Sequence, residues 1–131
     1  MRLIFLIAVA VACAATLGGL SAERTRRAEH ETRARDLTGG DPHRGAALAR
    51  TLGCVACHVM PGVRGPDSRV GPSLESFGAR PYIAGVIENT PENLLPFLRD
   101  PRAVAPKSAM PALGMSEAQA RDLAAYLYAQ R

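Results

Sequence analysis

The chain has few of the large aromatic residues that an ordinary small domain uses to build its core. It contains no tryptophan and only three phenylalanines and three tyrosines among 131 residues. Lysine is nearly absent too, with Lys107 the single example, so the net charge of +4 comes from arginine. The arginines form no dense run with interleaved aromatic residues, and nucleic-acid binding therefore has no support. A mild positive excess suits acidic protein partners or anionic lipid head groups.

The sequence also lacks the apolar–polar alternation of half-buried β-strands. Helix start signals occur at three places: Asp41-Pro42, Thr90-Pro91, and Ser116 with Gln119. These signals predict helices to about Leu52, to about Arg99, and to the C-terminus. A long loop over 59–72, a short helical stretch near 73–80 and a proline-containing loop over 101–114 separate them. The pattern predicts an all-α domain.

No charged residue occurs from Leu3 to Leu20. Eighteen apolar or small residues are on the border between a secretory signal and a membrane-spanning helix. Cleavage after Ala22 fits the small-residue rule poorly, whereas cleavage after Ala14 fits better but leaves a short apolar region. We predict that residues 1–22 are a signal or anchor segment that is retained. A cleaved signal is the alternative.

Residues 23–38 are charged and contain neither proline nor glycine. Glu23–Arg27, Glu29–Arg33 and Glu31–Arg35 are spaced for favourable helical ion pairs. We therefore predict a solvated helical stalk about 20 Å long, followed by a domain over 39–131. A disordered linker is the alternative. Five arginines in the stalk conflict with the positive-inside rule if the domain lies outside the cytoplasm.

One motif points to specific chemistry. Cys54-Val55-Ala56-Cys57-His58 has the Cys-x-x-Cys-His spacing of covalent haem attachment. Two thiols three residues apart can form thioether bonds to the two vinyl groups of one porphyrin. The next residue, His58, is then set against the iron.

Other uses of the two cysteines fit less well. A structural zinc site needs about four ligands, and beyond this motif the chain offers only His30 and His43. A thioredoxin-like dithiol needs a βαβ unit, which the pattern does not indicate. The remaining cysteine, Cys13, is a small apolar residue of the leader.

A second axial ligand is expected from methionine. Met60 is too close to His58 in sequence to reach the opposite face of the ring. Met110 and Met115 both precede the last helix, and we favour Met110 because Pro111 stiffens the turn that follows it. Met115 is then expected to fill the core.

Several segments occur in the order seen in class I cytochromes c: Cys54–His58, Gly71-Pro72-Ser73-Leu74, Tyr82-Ile83-Ala84-Gly85, Asn89–Leu94, Arg99-Asp100-Pro101 and Ala109-Met110-Pro111. The chain resembles this family over about residues 39–131, and most closely the cytochrome c domains associated with heme–copper oxidase subunit II. The resemblance implies the cytochrome c fold around one covalent haem c, with the first and last helices of the domain crossing near Gly45 and Tyr126.

The resemblance also implies roles for individual residues. The carbonyl of Pro72 is expected to accept a hydrogen bond from His58 Nδ1. Arg80, Tyr82 and Asn89 are candidates for contact with the haem propionates, although Arg80 could equally be a surface charge and Tyr82 a core residue. His58 and Met110 would be the two axial ligands of the iron.

The function expected from these features is electron transfer rather than catalysis. The chain is predicted to be a periplasmic carrier tethered to the bacterial inner membrane through residues 3–20, or soluble in the periplasm if the leader is cleaved. It would take electrons from a quinol-oxidising complex or dehydrogenase and pass them to a terminal oxidase. A fixed subunit of a larger oxidoreductase, and a peroxidase-like or gas-binding cytochrome with a labile Met110, are the alternatives.

Overall fold

The structure is a computed structural model that describes residues 1–66, 68 and 70–131. Positions 67 and 69 of the predicted 59–72 loop lie outside the described residues. In chain order, the helices and strands are α1 (Arg2–Thr38), α2 (Pro42–Thr51), a 3-10 turn (Cys54–Ala56), a second 3-10 turn (Phe77–Ala79), β1 (Tyr82–Ile83), β2 (Ile87–Glu88), α3 (Pro91–Arg99), α4 (Pro101–Val104) and α5 (Glu117–Ala129). The protein is therefore mainly helical, as predicted.

The apolar segment and the charged stalk form one continuous helix of 37 residues, α1, which ends at Gly39 in a left-handed conformation. By length and composition α1 could cross a membrane, and a secretory signal shares both properties. The predicted ion pairs within the stalk are not the ones observed among the described residues. Glu31 pairs instead with Arg27 at 3.1 Å and with His43 of α2 at 3.2 Å.

The end of the stalk packs on the domain, so the prediction of a fully solvated stalk is wrong for its last turns. Ala34 and Thr38 are each only 1% exposed. Arg121 of α5 donates a hydrogen bond to the Thr38 carbonyl oxygen over 2.9 Å. These contacts join residues more than eighty positions apart, which no local sequence pattern could indicate.

Helices α2 and α5 cross closely. A Cβ atom on Gly45 would overlap the carbonyl oxygen of Asp122 and lie 2.8 Å from Cβ of Tyr126, so the crossing occurs where the sequence resemblance implied. The Asp122 carboxylate accepts two hydrogen bonds from Arg44, each 2.8 Å long, and one from the Asp41 amide at 2.7 Å. This carboxylate ties the start of α2 to α5.

Two of the three predicted helix starts carry the expected side-chain caps. Asp41 accepts hydrogen bonds from the His43 and Arg44 amides, and Ser116 forms a capping box with Gln119. At Thr90 no side-chain cap bond forms, and Pro91 at the first helical position defines the start of α3.

The sequence analysis did not predict a short helix, α4, or a short β-hairpin formed by β1 and β2. The region after Asp100 was predicted to be loop, but Asp100 caps the four-residue helix α4 by accepting from the Ala103 amide at 3.2 Å. Strands β1 and β2 form a small antiparallel hairpin in which Ile83 pairs with Ile87. Each strand has only two residues, which is too short to show alternation.

Candidate functional site

The Cys-x-x-Cys-His motif follows directly on helix α2. Gly53 adopts a left-handed conformation with φ of 75° and ends the helical path. Cys54 then begins a 3-10 turn, and its carbonyl oxygen accepts hydrogen bonds from the amides of Cys57 (3.1 Å) and His58 (3.0 Å). Both cysteines are free and half-buried. One tight turn therefore holds the two thiols and the imidazole together.

The Cys54 thiol is buried enough for its chemistry to change. Burial raises the pKa of the Cys54 thiol above its ordinary value, and the neighbouring Cys57 adds to the effect. A thiol with a raised pKa stays protonated at neutral pH and is a poor nucleophile in disulfide exchange. This environment differs from that of a reactive redox dithiol, in which the cysteine pKa is lowered.

His58 is held in one orientation and one tautomer. Its Nδ1 lies 2.7 Å from the carbonyl oxygen of Pro72. A carbonyl oxygen can only accept, so Nδ1 carries a proton, and in the neutral ring Nε2 is the nitrogen with the free lone pair. This arrangement is typical of a histidine that binds a metal ion through Nε2.

Gly71 makes room for this imidazole. A Cβ atom at position 71 would lie 2.5 Å from Cε1 of His58. The Gly71 amide donates to the Cys57 carbonyl oxygen over 2.8 Å, and the Leu74 amide donates to that of Val59 over 2.8 Å. The loop is thus hydrogen-bonded on both sides of His58.

The three methionines outside the leader differ in burial. Met60 and Met115 are each 5% exposed and belong to the hydrophobic core. Met110 is half-buried and packs against the edge of that core. Its amide donates to the Ser108 hydroxyl over 3.2 Å. Met110 is therefore the methionine whose thioether is not already committed to the interior.

The three candidates for propionate contact have different surroundings. The Arg80 guanidinium donates to the carbonyl oxygens of Ser73 (2.5 Å) and Glu75 (2.8 Å) and lies 5.9 Å from the centroid of the Phe77 ring. Tyr82, on β1, is 57% exposed. Arg80 and Tyr82 therefore keep partly accessible polar groups.

Asn89 is more fully engaged within the protein. Its amide nitrogen donates to the carbonyl oxygens of Phe77 (3.1 Å) and Arg80 (2.9 Å), and its amide oxygen accepts from the Tyr128 hydroxyl at 3.0 Å. Both amide protons have partners, so Asn89 holds the hairpin region against α5.

Sequence reasoning missed the role of the Tyr126 hydroxyl. It donates to the Pro61 carbonyl oxygen over 2.6 Å, tying α5 to the segment just after the motif. Burial raises the pKa of Tyr126 to about 12, with a smaller contribution from Cys54, so the hydroxyl remains a donor at neutral pH. A tyrosine in the apolar stripe of a helix could have indicated this bond, because a buried tyrosine hydroxyl usually finds a hydrogen-bond partner.

Among the described residues, no three His, Cys, Asp or Glu side chains gather as a metal-binding cluster. A structural zinc site, which needs about four such ligands, is therefore not supported in this part of the chain. In the same described residues, the strands form one small antiparallel hairpin and no βαβ unit, so the setting of a thioredoxin-like dithiol is not supported there.

The chain has the fold elements and the attachment motif of a small haem protein, and comparison with known proteins shows which class this is. Residues 42–130 match the family model described as Cytochrome c. The chain therefore belongs to the cytochrome c family, and membership of this family implies covalently bound haem c.

The similar proteins are all named cytochrome c oxidase subunit 2. The protein from Alkalihalophilus pseudofirmus is 41% identical over 75 residues, which cover 56% of this chain and 21% of that protein. Those from Bacillus sp. strain PS3 (41% over 59 residues; 44% and 17%) and Bacillus subtilis (34% over 82 residues; 58% and 23%) are similar. The chain spans about a fifth of the length of these curated relatives.

The residues present fit the haem that the family implies. The donor set comprises two free thiols at the attachment spacing, an imidazole whose Nδ1 is hydrogen-bonded to a carbonyl oxygen, and a half-buried thioether. Half-buried apolar side chains pack around the same core, among them Leu74, Ile87, Leu95 and Leu113. Such a rim of incompletely buried apolar groups suits a large flat apolar ligand.

Proposed function

We propose that this chain is a one-electron carrier with a single haem c bound through Cys54 and Cys57, and with His58 and Met110 as axial ligands. The observation that carries the proposal is the hydrogen bond from His58 Nδ1 to Pro72, immediately beside the two free thiols. Bound haem supplies an iron that exchanges one electron, and His/Met ligation gives it a raised potential.

The protein's own residues would provide binding, orientation and shielding. Pro72 fixes the imidazole ring and increases its basicity. The loop with Pro106 and Pro111 is already constrained, so Met110 needs little rearrangement when the redox state changes. If His58 and Met110 both bind the iron, no position on it would remain open for a substrate, which favours electron transfer over catalysis.

Arg80 and Tyr82 are proposed as propionate contacts because their polar groups are at least partly accessible. Asn89 is included as a positioning residue, since its amide holds the Arg80 backbone at 2.9 Å. The guanidinium of Arg80 and the hydroxyl of Tyr82 can each donate a hydrogen bond to a carboxylate.

The site and the relatives together support a respiratory role. We propose residues 1–22 as a retained anchor, 23–38 as its helical stalk and 39–131 as the electron-carrying domain, on the periplasmic side of a bacterial inner membrane. A quinol-oxidising complex or dehydrogenase would be the donor and a terminal oxidase the acceptor. The length and apolar character of α1 support the anchor.

The second candidate is a fixed subunit of an oxidase. The three relatives named cytochrome c oxidase subunit 2 favour it. A subunit would co-purify with its oxidase in a constant ratio through successive columns, whereas a separate carrier would be lost. A stable six-coordinate low-spin spectrum in both redox states would argue against a peroxidase-like or gas-binding cytochrome.

The attachment proposal is tested by replacing both motif cysteines. Cys54→Ser with Cys57→Ser should abolish the haem that survives acid–acetone extraction and denaturing gels, because no thioether bond can form. Cys13→Ser is the matched control and should retain full haem staining, since Cys13 lies in the leader. Gel-stable haem in the double variant would show that attachment occurs elsewhere.

A further inference from the structure

Helix α5 lies beside the stalk part of α1 and runs back toward the apolar segment. At one end Arg121 binds the Thr38 carbonyl oxygen. At the other end Ala129–Arg131 line a cleft together with Glu23–Glu31. The last residues of α5 are therefore level with the first turns of the stalk, rather than with its end.

The cleft also includes the segment after the haem motif and the beginning of α2. Its lining includes Arg26, Arg27 and Glu31 of the stalk, His43 of α2, and Arg131. Its volume is about 470 Å³.

The position of the cleft relative to the apolar segment is defined by helix geometry. The uncharged run ends at Leu20. At 1.5 Å per residue, Glu23 lies about 4 Å and Arg27 about 10 Å further along the helix axis. The polar head-group layer on one side of a bilayer is about 5–8 Å thick. If Leu3–Leu20 span the hydrocarbon, Glu23 is at head-group level. Arg26 and Arg27 then lie just beyond this layer, and their long side chains can extend back into it.

Two guanidinium groups of the cleft, those of Arg26 and Arg131, are placed to bind an anion. Arg27 is already paired with Glu31, whose carboxylate also contacts His43. Within the described parts of the chain, neither Arg26 nor Arg131 forms an ion pair. Both are exposed, so their guanidinium groups are available to an external partner.

We propose that this cleft binds the anionic phosphodiester head groups of the membrane that holds α1. Arginine recognises phosphate oxygens through paired hydrogen bonds, and basic side chains close to a bilayer are attracted to its anionic lipids. The inference rests on the proposed anchor. It gives the stalk arginines a role on the outer side of the membrane, and it fixes which side of the domain faces the lipid.

The test uses the full-length haem-containing protein, reconstituted with phosphatidylglycerol and phosphatidylcholine in equal amounts. Native mass spectrometry counts the molecules of each lipid retained. The wild type should retain phosphatidylglycerol preferentially, and high salt during reconstitution should weaken the preference. Arg26→Gln with Arg131→Gln should lower phosphatidylglycerol retention by about fivefold per arginine removed.

Arg99→Gln is the matched control. Arg99 is an exposed arginine close to Glu117, at the opposite end of α5, and its replacement should leave lipid retention unchanged. Equal loss in this variant would show that net charge, rather than the cleft, controls lipid binding and would overturn the proposal.

Two further results would also overturn it: equal retention of both lipids by the wild type, or unchanged retention in the double variant. If the double variant keeps its lipids but loses affinity for a purified acidic redox partner, the cleft is a protein-docking site instead. Failure of the proposed function is recognised separately, because it would appear as the absence of covalent haem or of residues 1–22 in the mass of the purified protein.

Discussion

The three methionines of the domain differ in burial, and this difference indicates which of them can bind the iron. Met60 and Met115 are core residues, at 5% exposure each, and their thioethers contribute packing. Met110 is left half-buried on the edge of the core, in a loop that contains Pro106 and Pro111. Because its thioether is neither fully exposed nor fully packed, Met110 is the methionine that is available to bind the iron.

Met110→Ala should therefore remove the axial sulfur. The oxidised wild type should show the weak near-infrared sulfur-to-iron charge-transfer band, and the variant should lose it. Its potential should fall, since thioether ligation raises the potential of the iron, and carbon monoxide should bind to the opened position. Absorption spectra and a redox titration measure these changes.

Met115→Ala is the control for that substitution. It should keep the band and instead lower the free energy of unfolding by about 2–5 kcal/mol, as expected when a buried methionine is truncated. Loss of the band in Met115→Ala together with its survival in Met110→Ala would mean that the other methionine is the ligand.

At the scale of residues, the sequence predicts side-chain placement where that placement depends on spacing along the chain. The grouping of Cys54, Cys57 and His58 on one tight turn could be predicted from their spacing alone. The surroundings of Asn89 could not, since its partners Phe77 and Tyr128 come from separate segments. A side-chain amide in a loop carries no signal for which carbonyl oxygens it will meet.

At the scale of elements, the crossing of α2 and α5 depends on the absence of a side chain at Gly45. Gly45→Ala would raise helix propensity by about 1 kcal/mol at an open position. Here the added Cβ would overlap the Asp122 carbonyl oxygen. The helices must separate, and we expect a net loss of about 1–3 kcal/mol in the free energy of unfolding.

Denaturant unfolding followed by circular dichroism measures that loss. Gly18→Ala is the matched control, because Gly18 is also a helical glycine but has nothing within 4 Å of the added Cβ. Unchanged or increased stability in Gly45→Ala would show that the two helices can separate at no cost.

The ion pair at this crossing predicts a pH dependence. The hydrogen bonds from Arg44 hold the pKa of Asp122 below its ordinary value, despite the opposing effect of burial. A carboxyl whose pKa is lowered by folding stabilises the protein above its unfolded pKa of about 3.9. That stabilisation is lost as the pH falls from there through the lowered folded pKa.

Asp122→Asn should lower the melting temperature at pH 7, and the difference from the wild type should shrink below about pH 4. Thermal melts across this range measure it. Asp36→Asn, at an exposed carboxyl of the stalk, should match the wild type throughout. If the melting-temperature difference between Asp122→Asn and the wild type stays constant with pH, the ionised Asp122 carboxylate does not contribute to stability.

Helix starts were the most predictable elements because their signals are local. Asp41 and Ser116 carry the caps that the sequence indicated. The four-residue helix α4 and the two-residue strands could not be predicted, because neither is long enough to develop a period. In the hairpin, Ala84 and Gly85 both adopt positive φ, at 49° and 72°, which an Ala-Gly pair only weakly indicates.

At the scale of the whole molecule, the sequence indicated the order of apolar segment, charged stalk and domain, but not the direction in which the domain lies relative to the stalk. A continuous helix could have held the domain at its far end. Arg121 contacts Thr38 at one end of α5, and Ala129–Arg131 line a cleft with Glu23 and Arg26 at the other, so α5 lies alongside the stalk instead. Such contacts between distant residues are visible only in the folded structure.

The measurement that tests the central claim most directly is the mass of the protein purified from membranes, with fragmentation of the haem-bearing peptide. We predict the mass of the polypeptide, including residues 1–22, plus one haem carried by the peptide that contains Cys54 and Cys57. The mass of the polypeptide without haem, or haem carried by any other peptide, would contradict the account.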